Sequence, residues 1–145
     1  VGRCCNSIVV DAPICDVWRT IRDFHDLAWA SGVVTSMTNP GSLPGDRPGA
    51  RRILNNAFDE SLLSLDDANR TFSYRVDDGP GPLARGSVRD YIGRVQLLPV
   101  TENATTFVIW ESTFESPDDR AISEMCNPIY QALLVSLKDH FARAR

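Results

Sequence analysis

The chain has 145 residues, 43% of them hydrophobic and 23% charged, with a formal net charge of −4. That is a globular composition, neither disordered nor fibrous, and it suits one domain over 1–145 with a sizeable core. The acidic balance argues against nucleic-acid binding through a broad basic surface, because phosphate contacts need clustered Lys and Arg, and no apolar run reaches membrane-spanning length.

Taken in order, Cys4 to Val10 reads as a strand. Asp11 caps a short helix with Val17, Trp18 and Ile21 on its apolar face, and a second short helix covers Phe24 to Ala30, ended by Gly32. Val33 to Thr38 is β-branched and reads as a strand, followed by a Pro/Gly loop from Asn39 to Gly49. Strand and turn then alternate: Arg51 to Asn55, Asp59 to Leu65, and Arg70 to Asp77, where Phe72, Tyr74 and Val76 show the clearest period-two pattern. A Gly/Pro loop from Asp78 to Gly86 precedes a hairpin of Tyr91 to Leu98 and Thr105 to Phe114.

The segment Ser116 to Arg145 is helical. Ser116 offers an N-cap, Pro117 suits the first turn, and Asp118 and Asp119 favour the positive end of the dipole. Arg143 and Arg145 favour the other end. Ile122, Met125, Ile129, Leu133, Leu137 and Phe141 recur at helical spacing, over a helix about 40 Å long. Pro128 lies inside it, which predicts a kink or a break into two helices near Glu124 to Asn127. Sequential strands with short turns, plus one long amphipathic helix, define an α+β architecture with an antiparallel sheet.

Cys4, Cys5, Cys15 and Cys126 match neither a zinc ribbon nor a CxxC pair. They read as small buried thiols of a cytoplasmic protein. GxSxG, Walker, GxGxxG and HExxH patterns are absent, and the two histidines have no partners at metal-ligand spacing. Neither cofactor nor metal is expected.

Several motifs together resemble the polyketide cyclase/dehydrase branch of the START-like (SRPBCC) superfamily. They are Gly49-Ala50-Arg51-Arg52, Glu60 to Asp67, Ser73-Tyr74-Arg75, the Pro80 to Pro82 loop, and Trp110 to Glu115. The N-terminal strand and two short helices fit the same pattern. The resemblance implies a helix-grip fold, in which a seven-stranded antiparallel sheet wraps around the C-terminal helix and encloses a cavity for apolar ligands. Such proteins include cyclases, dehydratases, receptors and lipid carriers, so the fold leaves function open.

With that fold in view, a four-residue hairpin loop would set Gly93 opposite Trp110 and Tyr91 opposite Ser112. Tyr74, Tyr91, Trp110 and Ser112 then become candidate cavity lining, with a core-filling role as the alternative. Met125, Ile129, Tyr130 and Leu133 would supply the helix wall. His25 and Trp29, four apart, would sit at the mouth, although His25 between two aspartates also reads as a surface residue. Arg51, Arg52, Glu60 and Arg75 fall on neighbouring strands, and an inward Arg–Glu pair could orient a carbonyl or stabilise an enolate.

The leading expectation is a cofactor-free cyclase or dehydratase acting as a lyase or isomerase on a polyketide-like or aromatic metabolite. In it Glu60 is the base, Arg51 (or Arg52) the oxyanion partner, and Tyr74 and Tyr91 the donors. The alternatives are a non-catalytic binder or carrier of an apolar small molecule or lipid, and an interaction domain with a filled interior. The assembly would be a monomer or homodimer.

Overall fold

The computed structural model describes residues 1–143. Its strands are β1 (Gly2–Val10), β2 (Met37–Thr38), β3 (Arg51–Leu54), β4 (Phe58–Asp66), β5 (Thr71–Asp78), β6 (Arg89–Val100) and β7 (Thr105–Glu115). They form one antiparallel sheet in the order β1-β7-β6-β5-β4-β3-β2. Alternation decides which side chains face inward. Phe72, Tyr74 and Val76 of β5 are buried, as are Tyr91, Val95 and Leu97 of β6 and Val108, Trp110 and Phe114 of β7. Register shifts interrupt β4 at Asp59/Glu60 and Leu62/Ser64, and the β6–β7 pair at Arg89/Ile92. Such irregularities bend a strand and sharpen its twist, which curves the sheet.

Helix α1 (Ile14–Ile21) follows β1, and α2 (Asp119–Arg143) crosses the concave face against β1, β7 and the 3-10 turn Ala28–Ala30. The result is the seven-stranded helix-grip arrangement. Helix α2 buries Ile122, Cys126, Tyr130, Leu133, Leu134 and Leu137. Met125, Ile129 and Phe141 of the expected stripe are only half-buried. The buried face is thus rotated by about one position from the periodicity reading. Asn6 Nδ2 donates to Asn127 Oδ1 at 2.9 Å, tying β1 to the helix.

The helix does not break at Pro128; it is continuous from Asp119 to Arg143. Proline removes the donor that Glu124's carbonyl would have used. Glu124 and Pro128 are both exposed, so water can reach the freed group. The N-terminus also falls later than expected. Asp118 Oδ1 accepts the Ala121 N–H at 3.1 Å as the cap, and Ser116 Oγ instead accepts the Asp118 N–H. Arg145 lies outside the described residues.

Three further expectations are modified. The second short helix is the single turn Ala28–Ala30, because the Asp23 and Asp26 carboxylates accept the His25 and Ala28 N–H groups and turn the chain locally. Of Val33 to Thr38 only Met37–Thr38 pairs as a strand. Cys4 and Cys126 are buried, but Cys5 and Cys15 are exposed, and all four are free thiols.

The hairpin loop has four residues, 101–104, but Val100 pairs with Thr105, so Gly93 opposes Ser112 and Val95 opposes Trp110. Gly93 therefore makes room for Tyr74, its partner on β5, rather than for the Trp110 indole. Among the described residues no helix is long and apolar enough to cross a membrane.

Candidate functional site

Where α2 leaves the sheet uncovered, a cavity of about 60 Å³ remains. Its upper walls are apolar: Val33 and Val34 from the segment before β2, Leu54 and Phe58 from the β3–β4 hairpin, Leu83 from the Gly/Pro loop, and Ile129 and Leu133 from α2. Its floor is polar, with Arg52, Glu60, Tyr74, Tyr91, Trp110, Tyr130 and Cys126.

Strand parity selects the charged pair. Arg52 and Glu60 are direct cross-strand partners on the concave face, and both are buried. Arg52 Nε donates to Glu60 Oε1 at 2.8 Å, and Nη1 donates to the Phe24 carbonyl at 3.0 Å. The guanidinium stacks over the Phe24 ring, 3.8 Å from its centroid. Nη2 takes part in neither of these bonds. Burial pushes the Glu60 carboxyl above its ordinary value, and Arg52 offsets this only in part.

The phenols form a second cluster. Trp110 Nε1 donates to Tyr74 Oη at 2.9 Å, Tyr91 and Tyr130 share a short hydroxyl–hydroxyl bond, and the Tyr91 hydroxyl donates to Ser112 Oγ at 3.2 Å. Burial drives all three phenols well above the usual tyrosine value, so each is neutral at physiological pH and carries its one O–H, that of Tyr91 directed at Ser112. The Cys126 thiol is likewise pushed up, to about 11.

Tyr74, Tyr91, Trp110, Glu60, Ile129, Tyr130 and Leu133 are thus brought to one cavity. Ser112 stands behind it, supporting Tyr91. Arg51 lies on the other face of the sheet, where Nη2 donates to both Asp59 oxygens at 2.9 Å. Met125 packs beside Gly81. His25 donates from Nε2 to the Arg51 carbonyl at 2.9 Å, which fixes its proton on that nitrogen. Trp29 Nε1 donates to the Asp26 carbonyl, and the ring lines an outer hollow instead. Arg52 was distinguishable in principle: Ala50 and Leu54, apolar and of the same parity, flank it. Phe24, Asn55, Val33, Val34 and Cys126 carried no such signal, because loop and helix geometry places them.

A curved antiparallel sheet gripping a long helix around a small apolar cavity defines a helix-grip protein of the START-like class. The chain belongs to the polyketide cyclase/dehydrase and lipid transport family, whose model matches residues 5–142. It is similar to a structure from Nitrosospira multiformis, with 40% identity, a TM-score of 0.93, and coverage of 96% of this chain and 95% of that one. A Thermobifida fusca solution structure shares the fold at 23% identity (TM-score 0.84, 99% and 95% covered). So does the protein XoxI of Bacillus cereus at 22% (TM-score 0.80, 98% and 96% covered). No curated protein matches the chain.

Proposed function

We propose that the protein binds a small, mostly apolar molecule carrying a carbonyl-type oxygen, with the oxygen on Arg52 Nη2 and the neutral phenols and the apolar part against Leu54, Phe58, Leu83 and Leu133. The observation that carries this reading is the buried Arg52 guanidinium, held by Glu60 and the Phe24 carbonyl, in the lining of an otherwise mostly apolar cavity. A guanidinium N–H gives a ligand oxygen a charge-assisted hydrogen bond, stronger than a neutral one. The family description, which spans cyclases, dehydrases and lipid transport, is compatible with it. A cavity of about 60 Å³ is well below the roughly 300–1,000 Å³ of drug-sized sites, so larger ligands require the mouth to open.

A second reading, catalysis, is favoured by the raised Glu60 carboxyl. A carboxylate shifted towards neutrality beside hydroxyl donors can remove a proton α to a carbonyl while the donors hold the enolate oxygen. In that reaction Glu60 is the base, Tyr74 is a donor, Tyr91 becomes one by turning its O–H from Ser112 to the ligand, and Arg52, rather than Arg51, takes the oxyanion role. This is the proton transfer that a cyclase or dehydratase needs.

The two readings separate in one experiment. Titration of the labelled protein with simple aliphatic and aromatic ketones is expected to shift the Trp110 indole N–H resonance, and Arg52→Met is expected to abolish the shift. No shift with any ketone would remove the binding reading. In deuterium oxide, catalysis predicts protein-dependent exchange of the ketone α-protons that Glu60→Gln eliminates, whereas a carrier leaves those protons in place.

A further inference from the structure

The segment Val33–Ser36 forms part of the cavity wall through Val33 and Val34, with Thr35 and Ser36 exposed outside it. Val33 and Val34 donate their N–H groups back to the Ala30 carbonyl. Beyond Ser36 the chain joins the sheet through Met37 and Thr38. Between these anchors the bonds to the β3–β4 hairpin converge on one residue, Asn55. Its Oδ1 accepts from the Thr35 N–H at 2.8 Å, the Thr35 hydroxyl at 3.1 Å and the Ser36 N–H at 3.3 Å. Its Nδ2 donates to the Val33 carbonyl at 3.0 Å, and its backbone N–H donates to the Ser36 carbonyl at 2.9 Å.

Asparagine is suited to this double duty. It offers acceptor and donor on one short side chain, and it tolerates the left-handed backbone, φ +56°, found at this position. Thr35, Ser36 and Asn55 are exposed, so water can replace each bond as it breaks. Val33 and Val34, in contrast, turn half-buried side chains onto the cavity. At the other end, the space where a side chain at Gly32 would sit is open.

Val33 has a second role. It also lines an outer hollow of about 430 Å³ between the Ala28–Ala30 turn and the C-terminal half of α2, where Trp29, Ala132 and Val135 give an apolar side and Asp139, His140 and Arg143 a polar one. Val33 is thus common to the walls of the inner cavity and of a larger space.

We infer that Val33–Ser36 is a gate latched by Asn55, and that its opening joins cavity and hollow into one site for a linear apolar chain ending in a carbonyl or carboxyl group. The inference rests on the ligand reading above and deepens it. The polar end sits at Arg52, the chain passes the position of Val33, and the tail lies along α2. Asn55 then sets which ligands enter, since molecules confined to the inner cavity need less opening than those that cross Val33.

Asn55→Gly removes the side-chain bonds and keeps the left-handed backbone, while Asn55→Asp keeps the acceptor oxygen and loses only the donor. Amide hydrogen exchange reads the latch without any ligand. Exchange at Thr35 and Ser36 should rise about tenfold or more in Asn55→Gly, and less in Asn55→Asp, with β6 and β7 amides unchanged. Association of methyl octyl ketone should accelerate several-fold in Asn55→Gly, with methyl ethyl ketone affected less. Unchanged exchange at Thr35 and Ser36 would overturn the latch, and so would a rise spread across the whole sheet. Faster exchange with no faster uptake of the long ketone would overturn the gate. Binding of neither ketone, with the exchange change present, would overturn the ligand reading and leave Asn55 as a latch without that role.

Discussion

Gly93 lies directly beneath the Tyr74 phenol: a Cβ at position 93 would stand 2.2 Å from Tyr74 Cζ and 2.5 Å from its hydroxyl. The two residues are cross-strand partners, and the missing side chain lets the ring lie over the backbone so that its hydroxyl meets the Trp110 indole. Gly93→Ala should therefore expel the ring from that position. The expected cost is about 1–3 kcal/mol in denaturant unfolding, typical of overpacking, with a changed near-ultraviolet Trp signal. Unaltered stability and spectrum would mean that the ring is not held there.

The Arg52–Glu60 pair links stability to pH. Glu60 is raised above its unfolded value near 4.5. Its contribution is thus fully present below that pH and is lost as pH rises through the folded value. Arg52→Met removes the group that opposes the rise, so the loss should steepen and extend to higher pH. At neutral pH the variant should lose about 3–5 kcal/mol, and less near pH 5 where the carboxyl takes up a proton. Glu60→Gln should abolish the pH-dependent component. Unfolding measured across this range checks all three, and a cost of Arg52→Met independent of pH would contradict the assignment.

The chain has three tyrosines, and all three are in the cavity floor. Each is raised well above 10 by burial, so the neutral form is bound up with the fold. Stability from this source is present below pH 10 and lost as pH climbs towards the folded values. In an alkaline titration the phenolate absorbance should appear together with loss of near-ultraviolet circular dichroism. Phenolate forming in a protein whose tertiary signal is intact would show a phenol open to solvent.

Pro128 stands on the exposed side of an unbroken helix. Pro128→Ala restores the donor for the Glu124 carbonyl and should stabilise the protein by up to about 3 kcal/mol. Thermal unfolding tests this, and a destabilised variant would mean that the proline shapes packing elsewhere.

Local chemistry was legible in the sequence where one element decides its own geometry. Alternation in Phe72-Ser73-Tyr74-Arg75-Val76 requires a strand with one buried face, and the spacing of Ile122, Leu133 and Leu137 requires an amphipathic helix. Together with the motifs around Gly49, Ser73 and Trp110 they identify the helix-grip fold, and they bring Tyr74, Tyr91, Trp110, Glu60 and Tyr130 into consideration. Tertiary structure decided what depends on register and on approach between distant segments. The hairpin runs one residue further into the turn on its first strand, which moves Gly93 from Trp110 to Ser112 and gives its space to Tyr74. Parity on β3 turns Arg52 inward and Arg51 out to Asp59. Asn55 meets Thr35 and Ser36 only because the β3–β4 turn passes beside the chain before β2. Periodicity reports which residues share a face; it carries no information on which face, which partner strand, or which loop closes over the space between them.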